Sequence, residues 1–218
     1  MRLYHFVSEK FGKLNLEMRR LKLARIADLN DPFEFDPACP DKKARQVIAD
    51  FKRQAHETIA LLCFSEKRDN PVQWSHYADG HKGVCLGFDI PDDHVAKVKY
   101  ETARPMVDMK KLFPNQTAGE EEINRWLNVK YDHWRYEQEW RAAFKLDPAT
   151  KHADGNYYEN FGPQLRLAEV MIGVRSTLTR LDVNNLLGDI AEHVEIAKGR
   201  LTFRETYRVV QQQDRRIW

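Results

Sequence analysis

Tyr136-Glu137-Gln138-Glu139-Trp140-Arg141-Ala142-Ala143-Phe144-Lys145-Leu146 is the stretch on which the fold of this 218-residue chain turns. Alternate residues of a strand share a face. The pattern predicts a strand that sends Trp140, Ala142, Phe144 and Leu146 into a core and Glu137, Glu139 and Arg141 to the other side. Two carboxylates on one strand face repel each other unless a cation or a substrate sits between them, and Arg141 is the cation at hand. Such a face is ordinarily solvated. Here Trp134, Tyr136 and Trp140 flank it, and that aromatic density favours a pocket.

Outward from that strand, Ile59–Phe64 and Gly83–Ile90 are continuous apolar runs short enough for buried strands. Leu3–Val7, Leu21–Ile26 and Val98–Glu101 read as further strands. A short helix carries Phe11, Leu14, Leu16 and Met18. A second starts at Cys39-Pro40-Asp41 and gathers Ala44, Val47, Ile48, Phe51 and Ala55 on one side. Asn70-Pro71 opens a third, which Gly80 ends, and a fourth is expected from about Glu120 to Arg135. Asn30-Asp31-Pro32-Phe33-Glu34 has the marks of a helix start, with Asp31 as cap, Pro32 in the first position and Glu34 completing a capping box.

Asp147–Pro163 reads as an exposed loop, and the chain closes as strand (Glu169–Val174), helix (Arg180–His193) and strands (Val194–Ala197, Leu201–Val210). Strands scattered among helices without regular alternation predict an α+β fold with a largely antiparallel sheet and flanking helices. No repeat or linker divides the chain, so one domain is expected over residues 1–218. The motifs lie within about 3–146, and 164–210 completes the fold.

Thirty-five basic residues against 33 acidic ones leave a formal charge of +2, which carries no electrostatic footprint of a nucleic-acid or membrane binder. A nucleic-acid partner is neither supported nor excluded by that balance. No apolar stretch approaches the roughly 18 residues of a membrane span. MRLYHFVSEKFGK lacks the pattern of a secretory leader, so a cytoplasmic location is expected. Cys39, Cys63 and Cys85 are odd in number and form no C-x-x-C pair, and the eight histidines include no H-x-x-x-H. No metal site is expected. Neither a Walker-type loop nor G-x-G-x-x-G is present.

Taken together, LYHF near the start, LNDPFEF, CFSE, QWSHYADGHKGVCLGFDI and WRYEQEWR resemble a bacterial family known as domain of unknown function 2971. The resemblance runs from about residue 3 to 146 and implies no defined activity. A looser resemblance is to the ADP-ribosyltransferase fold, which splits an antiparallel-rich sheet around NAD. Those enzymes place a His or Arg on the first strand, a Ser or aromatic residue in the middle and a Glu, often in E-x-E, on a late strand. His5, Ser65 and Glu137-Gln138-Glu139 fall in that order here, although the middle motif is Cys-Phe-Ser where the fold has Ser-Thr-Ser.

The resemblance implies a sheet that is split, with NAD as substrate and Glu139 and Glu137 as catalytic residues. His5, Ser65, Tyr77 and Arg141 would contact the nucleotide. It also implies the stress or phage-defence setting in which such transferases often act. The acceptor stays open among protein, nucleic acid, small molecule and water. Two other readings compete. In one, Asp89 joins Glu137 or Glu139 to hold Mg²⁺ in a nuclease, with Lys145 or Arg141 near the phosphate. In the other, Trp74, Tyr77, Trp134 and Trp140 line a binding groove without catalysis, and the basic tail Arg204–Arg216 meets a partner.

Overall fold

The computed structural model describes residues 1–107, 116–214, 216 and 218. In chain order the strands are β1 (Arg2–Val7), β2 (Arg20–Lys22), β3 (Ala24–Arg25), β4 (Ile59–Ser65), β5 (Val84–Asp89), β6 (Ala96–Lys97), β7 (Lys99–Glu101), β8 (Val129–Tyr131), β9 (Glu139–Lys145), β10 (Tyr158–Asn160), β11 (Arg166–Ile172), β12 (Glu195–Leu201) and β13 (Val209–Gln211). The helices are α1 (Glu9–Met18), α2 (Lys42–Thr58), α3 (Pro71–Tyr77), α4 (Gln116–Leu127) and α5 (Arg180–Leu187).

Among the described residues nine strands form one sheet in the order β13-β12-β11-β5-β1-β4-β9-β6, with β3 beside β4. Every neighbouring pair in it is antiparallel except β11 and β12. The fold is therefore α+β with a largely antiparallel sheet. Period-two patterning assigns its faces. On β4, Ala60, Leu62 and Phe64 join Leu3, Leu86 and Phe88 in the larger core, which α1 and α5 cover with Leu16, Val183 and Leu187. Leu61 packs the other way against Ala55 of α2 and Trp126 and Leu127 of α4. Trp74 and Ala78 form a third cluster with Cys85 and Met171.

Caps fix the helices where the sequence placed them. Asp41 accepts the Ala44 N–H at 2.7 Å and opens α2. Asn70 accepts the Val72 N–H at 2.9 Å ahead of Pro71 and opens α3. The exit from α3 passes close under β1, and a Cβ on Gly83 would stand 2.1 Å from the Val7 carbonyl oxygen. Only glycine fits there.

One seam of the sheet is open. β1 has six partners in register on β5 but a single one on β4, Tyr4 opposite Ser65. Further along, the same edge of β4 is taken by β3, with Ala24 opposite Leu61 and Arg25 opposite Ala60. Between these two attachments β1 and β4 diverge and the seam is unpaired.

Four expectations are corrected. Asn30–Glu34 starts no helix: Pro32–Phe35 is a turn, and Phe35 takes a left-handed backbone (φ 52°). The helix expected from Glu120 to Arg135 ends at Leu127, and β8 follows it in a two-stranded parallel ribbon with β7. The loop expected over Asp147–Pro163 contains β10, which pairs with β2. The two final strands are instead one strand, β12, and a short hairpin partner, β13, whose connecting loop exposes Phe203 and Tyr207. In the basic tail, Arg215 lies outside the described residues. No helix among the described residues is long and apolar enough to cross a membrane.

Candidate functional site

The split seam opens into a hollow of about 180 Å³ lined by His5, Ser65, Tyr77, Glu137 and Glu139, together with Asn30, Glu34, Gln73 and Lys130. Five of the six residues expected from the sequence thus meet in one place. Arg141 does not line the hollow.

Glu137 and Glu139 arrive there by a route that a straight strand would not give. Residues Asp132–Glu137 form a 3-10 helix, Gln138 turns in a left-handed conformation (φ 46°), and β9 begins at Glu139. A non-glycine residue in that region stores backbone strain. Neighbouring contacts hold the turn: the Glu137 carbonyl accepts the Ser65 hydroxyl at 2.7 Å and the Gln73 amide at 3.1 Å, and the Gln138 carbonyl accepts the Glu66 N–H at 3.0 Å. Ser65 and Gln73 therefore position the acidic turn as well as lining the hollow.

Lys130, carried by β8, is the cation between the acids. Its Nζ lies 2.6 Å from Glu137, 3.0 Å from Glu139 and 3.2 Å from Glu34, with the Trp134 ring centroid at 5.0 Å. Arg141 binds Glu139 through Nε at 2.7 Å, pairs with Glu34, and donates to the Leu127 carbonyl at 2.7 Å. Its donors are committed inside the protein, so the nucleotide contact expected of it gives way to a positioning role. The result is three buried carboxylates against two buried cations.

The two neighbouring acids are shifted in opposite directions. Burial pushes Glu139 upward, but the charges of Arg141 and Lys130 outweigh it and bring the carboxyl down to about 2. Burial also raises Glu137, and Lys130 together with the Tyr77 hydrogen bond does not reverse it, so Glu137 stays above the ordinary carboxylate value. Tyr77 is raised by burial and by the Glu137 charge, remains a phenol, and donates to Glu137. Burial opposes the charge on Lys130, yet the three carboxylates keep it protonated.

His5 fills the seam itself. Its Nδ1 lies 3.0 Å from the Cys63 carbonyl, a β4 acceptor that β1 leaves unserved where it diverges. A carbonyl only accepts, so Nδ1 carries the proton. Burial lowers the His5 pKa, which keeps the ring neutral and leaves Nε2 as an acceptor.

Other expected groupings are not formed. Asp89 binds Arg2 at 2.5 Å and pairs with Arg166 on the far side of β1 and β4 from Glu139, so the acids of the nuclease reading are not brought together. Trp74 is fully buried against Phe6 and Trp140 packs on the larger core, so the four aromatics do not line one groove. His76 and His81 are not among the lining residues of the hollow.

The sequence reading missed Lys130 and Gln73 and took Glu34 for a cap. The one local signal for Lys130 is the alternation Val129-Lys130-Tyr131, which fits a short strand as well as it fits the helix.

A family described as "Protein of unknown function (DUF2971)" matches residues 73–142, roughly a third of the chain. The match supports the first resemblance over a shorter span than 3–146. It takes in Gln73, Tyr77, Lys130, Glu137, Glu139 and Arg141, and leaves His5, Glu34 and Ser65 outside. No curated protein and no solved structure matches the chain.

Proposed function

We propose that the chain binds the nicotinamide–ribose end of NAD in the split seam, cleaves the bond between them and passes the ADP-ribosyl group to an acceptor. The supporting observation is the convergence of His5, Ser65, Tyr77, Glu137 and Glu139 on one hollow at a sheet split. The groups present suit that substrate. Tyr77 offers an aromatic ring, while Asn30, Ser65 and Gln73 offer amide and hydroxyl partners for a carboxamide and ribose hydroxyls. Lys67, a cation suited to a diphosphate, lines a neighbouring hollow that shares Tyr4 with this one, beside Arg68, which is paired with Glu169.

Breaking a glycosidic C–N bond builds positive charge on the sugar, and hydrogen bonds to the 2-hydroxyl strengthen as it does so. Nicotinamide leaves with the bonding electron pair, and the acceptor's nucleophilic atom forms the new bond to the sugar carbon. Glu139, held ionised by Arg141 and Lys130, is a fixed negative charge that needs no reorganisation as the sugar becomes positive. Glu137, with its raised pKa and a single cation neighbour, takes the acceptor's proton.

The test mixes the purified chain with NAD, measuring binding by tryptophan fluorescence and nicotinamide release by chromatography. Binding and release are expected, with release about 10²- to 10⁴-fold slower in Glu137→Gln and thermal unfolding preserved. Absence of both NAD binding and nicotinamide release overturns the reading.

A further inference from the structure

Across the Glu34–Lys130 pair lies a second cavity, of about 270 Å³, that shares those two residues with the first. Phe33, Phe35, Trp126 and Tyr131 supply aromatic surface to it. Four carboxylates line it against two cations, and both cations are already taken. Lys130 faces its three glutamates, and Arg104 pairs with Asp36 at 2.9 Å.

Asp31 is the anomaly. Its side chain lines this cavity in a residue only 7% exposed. Its Oδ1 accepts the Phe33 N–H of its own turn at 2.9 Å, and among the described residues no cation pairs with it. A buried carboxylate without a counter-charge is costly unless something supplies one. The walls suit a cation as well, since aromatic faces attract one by their quadrupole, and the Arg104 guanidinium already lies 5.3 Å from the Phe33 ring centroid.

We infer that this cavity binds an organic cation, a guanidinium or alkylammonium group whose charge pairs with Asp31 and whose apolar chain lies against the aromatic wall. The inference is independent of the NAD reading, because it concerns a different cavity and its test contains no nucleotide.

Calorimetric titration with n-butylguanidinium and n-butylammonium, and with neutral n-butanol as the control, tests it. Saturable binding of at least one cation is expected, with no comparable binding of the alcohol. Asp31→Asn keeps an acceptor for the turn and should weaken that binding about tenfold or more. The distant-acid variant Asp89→Asn, on the far side of β1 and β4, should leave it unchanged. Phe33→Ala, at an exposed ring, is the second variant should Asp31→Asn fail to fold, and it too should weaken the binding. The inference is overturned if neither cation binds up to millimolar concentration, if butanol binds equally well, or if Asp31→Asn (or Phe33→Ala in its place) binds like the parent chain.

Discussion

Two clusters of acids and basic residues stand against the sheet. In one, Asp89 at the end of β5 bridges Arg2 and Arg166, with side chains 29%, 36% and 62% exposed. In the other, Glu34, Glu137 and Glu139 enclose Lys130 and Arg141, and no side chain exceeds 6% exposure. In the sequence the two look alike, each an acid on a strand with basic residues at hand. Water separates them physically. It screens the first cluster, so its geometry carries little energy. In the second, each charge depends on its partners because no solvent can replace them.

The largest effect expected from that difference is in Lys130→Met. It leaves three buried acids with Arg141 alone, and urea denaturation should show a loss of about 3–5 kcal/mol. Next comes Glu139→Gln, which strips a partner from both cations and should cost on the order of 3 kcal/mol.

The pH dependence sharpens the contrast between the two acids of the turn. Glu139 lies at about 2 in the folded chain against an ordinary 4.5, so its stabilisation is complete above 4.5 and drains away as pH falls towards 2. Glu137 has the opposite sign. Its folded value is raised, so ionising it costs stability as pH climbs past 4.5. Denaturation midpoints on either side of 4.5 should therefore show Glu137→Gln gaining on the parent chain as pH rises, while Glu139→Gln loses the parent's acid limb. The smallest effect belongs to Asp89→Asn, below about 1 kcal/mol and fading with added salt. A loss there as large as that of Lys130→Met would erase the distinction between the clusters.

Much of the sheet was legible because burial writes itself into alternation. Trp140, Ala142, Phe144 and Leu146 turn to the larger core as their spacing predicted, and the runs at Ile59 and Gly83 became β4 and β5. The acidic turn was legible as a place but not as a shape, since nothing in Glu-Gln-Glu announces a left-handed Gln138 held by contacts from Ser65 and Gln73. Glu34 was misread for a related reason. Asp-Pro-Phe-Glu satisfies the local rules of a helix start, and Lys130 and Arg141, about a hundred residues away, override them. Local chemistry shows in a sequence, whereas a partner delivered by distant chain does not.

The parallel pair of β7 and β8 carries Lys130 without joining the main sheet. The positive charge that sets the character of the acidic turn is thus mounted on a bracket outside the nine-stranded frame, fastened to it where the Glu139 N–H donates to Tyr100. Re-engineering that ribbon would retune the two glutamates while the nine-stranded frame keeps its register, which makes it the natural place to graft altered reactivity.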